Sequence, residues 1–152
     1  MKKTVKFALL LIALLTTFNI DAKVDKKQLL GVWTQIENEQ GINFFSTYDF
    51  KEDGTVTQFV IVTAESPKIN IVADGTCKYQ LKDDTITFKF SASDFNFTTM
   101  EIEGLPEEMK GMVMQQIMSQ MVNVEQKLTN VKIDGNTLTA KANGVSITLR
   151  RK

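Results

Sequence analysis

The sequence contains no histidine, one cysteine (Cys77) and two prolines, and its acidic and basic side chains balance at 18 each. Each shortage removes a class of chemistry. Without histidine no Ser-His-Asp or Cys-His relay can form, and a metal site built from imidazole and thiolate ligands has nothing to start from. A single cysteine allows no disulfide within the chain. A formal charge of zero rules out nucleic-acid binding through bulk positive charge, while 43% hydrophobic residues rule out a chain too polar to fold. No G-x-S-x-G, H-E-x-x-H or phosphate-binding loop occurs, and no pair of carboxylates stands apart from the surface acids. The sequence reads as that of a protein that is not an enzyme and uses neither metal nor cofactor.

Long apolar runs are missing too, with one exception. Met1 to Ala22 opens with Lys2, Lys3 and Lys6, continues through an apolar run from Phe7 to Leu15 and ends in Ile20-Asp21-Ala22. This is the layout of a secretory signal peptide, and the run falls short of the roughly 20 apolar residues of a transmembrane helix. The competing reading is an uncleaved amino-terminal anchor, since Ile20 is bulkier than the usual cleavage pattern favours. Cleavage after Ala22 is expected, giving an exported product, periplasmic or secreted, in which residues 23–152 form one domain with no transmembrane segment. Losing Lys2, Lys3, Lys6 and Asp21 tips the charge balance slightly acidic. Export favours disulfides that this chain cannot make internally, so stability must come from a core, in which Cys77 is expected as a small buried hydrophobe, the alternatives being an intermolecular bridge or a reactive thiol.

What the mature region does have is short segments rich in Thr, Val, Ile and Phe, broken by Gly, Asp and Asn. These predict strands over Leu29–Glu37, Ile42–Phe50, Val56–Thr63, Ile69–Ala73, Thr76–Leu81, Thr85–Ser91, Asp94–Glu103, Val124–Ile133, Thr137–Ala142 and Val145–Arg151. Asp53-Gly54, Asp74-Gly75, Asp134-Gly135 and Asn143-Gly144 supply tight turns, so successive strands should be antiparallel neighbours. Asp53, Asp83 and Asp84 lack a calcium-loop pattern around them and read as turn residues. Cys77, Tyr79 and Leu81 alternate with polar neighbours, as do Ile86, Phe88 and Phe90, and each strand thereby gains one apolar face. Tyr48 and Phe50 extend that face, as do Leu138, Ala140, Ile147 and Leu149. Strands with one wet face and one dry face must close or double over. The expected fold is mainly β: an up-and-down antiparallel barrel of 8 to 10 strands.

One segment departs from this pattern. Leu105-Pro106-Glu107-Glu108 places proline and acids where a helix begins, and Met109 to Asn123 continues without proline. At 100° per residue Val113, Met114, Ile117, Met118, Met121 and Val124 share a side opposite Gln115, Gln116, Ser119, Gln120 and Asn123. An amphipathic helix is therefore inserted before the last three strands. It either closes the barrel as ordinary core or acts as a lid or partner-binding helix through Met114, Ile117, Met118 and Met121.

Leu30-Gly31-Val32-Trp33, the Tyr48-Asp49-Phe50-Lys51-Glu52-Asp53-Gly54-Thr55 hairpin, Gly75-Thr76-Cys77-Lys78-Tyr79 and the closing Leu149-Arg150-Arg151-Lys152 together resemble the bacterial secreted lipocalin-like proteins. The resemblance spans nearly all of the mature region. It implies that Trp33, in a G-x-W element, packs across the barrel floor and that a late-strand arginine, Arg150 or Arg151, covers it as a structural cation–π contact. Two features differ from typical lipocalins: the helix precedes three strands instead of following the barrel, and no disulfide is available.

A small closed barrel offers a concave interior for a small apolar or amphipathic molecule. Its candidate wall residues are Phe44, Tyr48, Phe50, Phe59, Tyr79, Phe88, Phe90, Phe95 and Phe97, which either line a cavity or fill it. The other reading is a cell-envelope interaction or inhibitor module that works through its surface and its Met-rich helix, with a protein partner and no nucleic acid. The exported form should begin at Lys23, and intact-mass measurement of secreted material checks this; full-length chain in the membrane fraction overturns it.

Overall fold

A computed structural model describes residues 23–152, and the expected signal segment, residues 1–22, lies outside the described residues. After a short helix, α1 (Lys26–Leu29), come β1 (Gly31–Glu39), β2 (Ile42–Phe50), β3 (Thr55–Glu65), β4 (Lys68–Lys82), β5 (Thr85–Phe88) and β6 (Phe95–Ile102). Helix α2 (Glu107–Met121) leads into β7 (Gln126–Asp134), β8 (Thr137–Ala142) and β9 (Val145–Arg151). Strands β1 to β5 and β7 to β9 form a closed, all-antiparallel eight-stranded barrel in meander order, with β6 attached to the free flank of β4. No described helix is long and apolar enough to cross a membrane.

The turns form where short polar side chains hold the backbone. At the β2–β3 turn Asp53 Oδ1 accepts from the Thr55 amide at 2.9 Å and from its hydroxyl at 2.6 Å, and this hydroxyl contact holds the Asp53 carboxyl below its usual range. Asp25 caps α1 by accepting from the Lys27 amide. Leu29, expected to open the first strand, instead ends α1 and is fully buried.

Two expected strands are one. Ile69–Ala73 and Thr76–Leu81 belong to the single 15-residue β4, which pairs with β3 from Glu65↔Lys68 to Thr55↔Lys78. Asp74-Gly75 is thus no turn. The continuous β3 template holds it extended, and the glycine is there for space: a Cβ at Gly75 would lie 2.5 Å from the Phe95 ring and 2.9 Å from the Asp94 carbonyl oxygen. On the other flank β4 meets β5 and then β6, two parts of one antiparallel line interrupted at Lys89–Asp94. A 3₁₀ turn at Ala92–Asp94 makes the excursion, with Ser91 donating to the Asp94 carboxylate from both its amide and its hydroxyl. The excursion turns the Phe90 and Phe95 rings inward over Gly75.

The floor joins the ends of the described chain. Trp33, Leu29, Val56, Ile86, Val131, Leu138 and Leu149 are fully buried around it. β1 and β9 pair only at Trp33↔Arg151 and Thr34↔Arg150. Arg151, not the exposed Arg150, lies over the Trp33 ring at 4.3 Å, and its guanidinium donates to the Leu30 carbonyl at 2.7 Å and to the Gln28 carbonyl. The Trp33 indole N–H donates to the Leu29 carbonyl at 2.7 Å.

Helix α2 starts at Pro106 with Glu107 and Glu108 in its first turn, where acids suit the helix dipole. It leaves through a bridge in which the Asn123 amide donates to the Phe90 carbonyl at 2.7 Å. Its apolar face is narrower than the sequence pattern suggests. Val113, Ile117, Met118 and Met121 are half-buried, with Met118 and Met121 packed on the core, but no α2 side chain is fully buried. Met114, expected on that face, is exposed, and Val124 lies beyond the helix and is exposed too. Val113, Ile117 and Met121 make one i, i+4, i+8 row, and Met114 sits one residue round from it.

Gly75→Ala should lower stability by about 1–3 kcal/mol, because the new methyl meets backbone at Asp94 that has nowhere to move. Denaturant titration checks this, and an unchanged midpoint overturns the close-approach account of Gly75.

Candidate functional site

The interior divides into a filled lower part and a polar upper part. From Tyr79 the rings run through Phe50, Tyr48, Phe88, Phe90 and Phe95 to Phe97, with neighbouring centroids 5.1–6.4 Å apart and mostly edge to face. All but the half-buried Phe97 are buried, so these rings pack the barrel instead of leaving it hollow at this level. Phe44 stands apart, half-buried near the tip of the β1–β2 hairpin. Phe59 was expected inside, but it points outward: its neighbours Gln58 and Val60 occupy the buried alternation of β3.

Above the rings lies a cluster that alternation could have revealed. Gln35 is two residues beyond Trp33, Ser46 two before Tyr48 and Gln58 two beyond Val56, so all three fall on inward faces. Gln35 and Gln58 are 8% exposed and Ser46 is fully buried. Pairing brings them together, since Gln35 faces Ser46 across β1 and β2, and Tyr48 faces Gln58 across β2 and β3. The Gln58 amide donates to the Tyr48 hydroxyl at 3.1 Å and to Ser46 Oγ at 3.4 Å, and the Gln35 amide donates to Glu37 Oε1 at 2.6 Å. Burial pushes the Tyr48 phenol above its ordinary value, with a hydrogen bond involving Ser46 opposing and the Glu37 charge adding to the rise.

The same inward alternation continues beyond the barrel seam. β1 has no β9 partner after Thr34, so the β1–β2 hairpin rises past the closed ring. There Glu37, Glu39, Gln40, Ile42 and Phe44 line a pocket of about 460 Å³. Next to the hairpin, Val60 and Val62 on β3 pair with Ser46 and Phe44, and Ile71 on β4 pairs with Val62, so the inward positions of β3 and β4 there are apolar. The volume is that of a small-molecule site, with Ile42 and Phe44 as its apolar part and the exposed Glu37, Glu39 and Gln40 as its polar part. A larger depression of about 540 Å³ lies outside the barrel, where the break between β5 and β6 exposes Thr76, Lys78, Gln80, Thr87 and Lys89. Its walls are mostly the wet sides of strands, with the inward Cys77 and Phe88 between them, and the hairpin pocket is the better candidate. Cys77 is buried, and burial pushes its thiol up to about 11, so it carries little thiolate near neutral pH.

These features define a class: a lipocalin-like barrel with a packed floor and a polar, open upper end. No protein-family model and no curated protein matches the chain, so fold and pocket carry the functional argument.

Both tyrosines of the chain, Tyr48 and Tyr79, are held above the ordinary value of 10 by burial. The folded state thus favours the protonated phenols, and the stability this contributes is complete below pH 10 and lost as pH rises above it. Tyrosinate absorbance of the native protein should appear at higher pH than in the denatured chain. Coincident titrations of the two states would contradict the buried placement.

Proposed function

We propose that this chain is an exported binding protein, without catalytic activity, that holds a small apolar or amphipathic molecule at the upper end of its barrel. The observation that carries the reading is the buried Gln35, Ser46 and Gln58 cluster, set between an aromatic floor and a pocket of about 460 Å³. A core meant only for stability gains little from three buried polar side chains, because hydrogen bonds inside a protein mostly replace hydrogen bonds to water. The cluster ends the packed interior below the pocket, where a ligand that is apolar along most of its length and polar at one point finds Ile42 and Phe44 beside Glu37, Glu39 and Gln40. In this reading α2 borders the interior through Met118 and Met121, and no cofactor takes part.

A second reading rests on the outward side of α2. Met109, Met112 and Met114 are 41%, 64% and 36% exposed, and flexible thioethers suit an adaptable protein contact in the cell envelope. Met112→Asp should abolish capture of such a partner while leaving uptake of a small molecule intact.

The test of the first reading is saturable uptake of an uncharged polarity-sensitive dye such as N-phenyl-1-naphthylamine. Phe44→Glu should weaken uptake at least about tenfold, since burying an apolar side chain is worth roughly 1.5–3 kcal/mol and every 1.4 kcal/mol is about tenfold in affinity. Phe59→Thr, on the outer face, should leave it unchanged. Absence of uptake by the wild-type protein, or equal effects of the two substitutions, overturns the ligand reading.

A further inference from the structure

We propose that the pocket selects ligands with a positively charged head, an amine on an apolar body, and excludes carboxylates of the same length; this rests on the ligand reading above. The basis is where charge lies at the tip of the β1–β2 hairpin, whose acids are exposed around the pocket. Glu37 and Glu39 are the charged residues lining the pocket, beside Ile42 and Phe44. The amide of the buried Gln35 donates to Glu37 Oε1 at 2.6 Å, which steadies one carboxylate at the boundary between the pocket and the buried polar cluster. Cationic side chains are committed elsewhere. Every lysine in the described strands is exposed on the outer alternation, and Arg151 is tied to the Gln28 and Leu30 carbonyls at the floor. On α2 Lys110 pairs with Glu107 at 2.6 Å.

A carboxylate entering this pocket meets two like charges and no basic side chain to offset its lost hydration, whereas an ammonium gains the Glu37 and Glu39 carboxylates as acceptors. Further in, Ser46 and Gln58 are already engaged with each other and with Tyr48, so they complete hydrogen bonds without supplying a charge of either sign. Ile42 and Phe44, which line the pocket beside the two carboxylates, take the body of the ligand. Selection thus comes from repulsion at the rim as much as from attraction.

Displacement of bound N-phenyl-1-naphthylamine by dodecylamine and by dodecanoate at neutral pH, both below their micelle-forming concentrations, tests the proposal. Dodecylamine should displace the dye at a concentration at least about tenfold lower. In a Glu37→Gln, Glu39→Gln variant the ratio of the two displacement constants should fall to about two or less. The ratio is the readout, so a general loss of affinity cancels from it. Dye uptake with dodecanoate equal to or better than dodecylamine overturns the head-group assignment and leaves the ligand reading standing, and so does a ratio unchanged in the variant. No dye uptake by the wild-type protein overturns both.

Discussion

The helix-end carbonyls of Gln28, Leu29 and Leu30 need donors where the chain turns under the barrel, and Arg151 and the Trp33 indole supply them. Of the three only the Leu29 carbonyl is buried, and leaving it without a donor would cost about 1–3 kcal/mol, while the stacked guanidinium adds about 0.5–2 kcal/mol. The seam between β1 and β9 has only two residue pairs, so this side-chain clamp does much of the work that a longer ladder would do. Gly31 belongs to the same arrangement: its φ is +110°, and a Cβ there would lie 3.1 Å from the Arg151 guanidinium. The turn out of α1, the first strand and the last strand therefore depend on one cluster of contacts.

That cluster also explains why the upper end has freedom. With the ring closed at Trp33 and Thr34, β1 beyond Thr34 no longer needs β9, and the hairpin can carry polar and acidic residues inward. Stability and recognition are thereby separated along the barrel axis. Along β1 the clamp at Trp33 comes first, the buried Gln35 next and the acids of the hairpin tip last.

Much of the barrel was legible because turn chemistry and period-two alternation are local. The hairpins at Asp53-Gly54, Asp134-Gly135 and Asn143-Gly144 and the inward set Cys77, Tyr79, Ile86, Phe88 and Phe90 follow directly from them. At Asp74-Gly75 glycine signals both a turn and a close approach, and only the Phe95 ring, on a neighbouring strand that comes later in the chain, decides between them. Phe59 lies outside because register, not aromatic character, decides the side, and Gln58 and Val60 take the inner positions. The same preference hid the polar cluster: Gln35, Ser46 and Gln58 occupy inward positions that a search for apolar faces passes over. Met114 was assigned inward from helix geometry alone, while the barrel accepts a narrower strip of α2.

Closure through Arg151 also bears on how the chain reaches this state. The guanidinium of Arg151 and the Leu30 carbonyl it holds are 121 positions apart in sequence, and the strands they join are the first and the last. A nascent chain can form the β1–β2 and β3–β4 hairpins early, yet the ring stays open until β9 emerges, with unpaired edges on both sides of the gap. Long-range pairing of this kind makes folding slow and leaves strand edges exposed meanwhile. An incomplete barrel is correspondingly easy to keep extended, or to lose to aggregation, until its final strand docks.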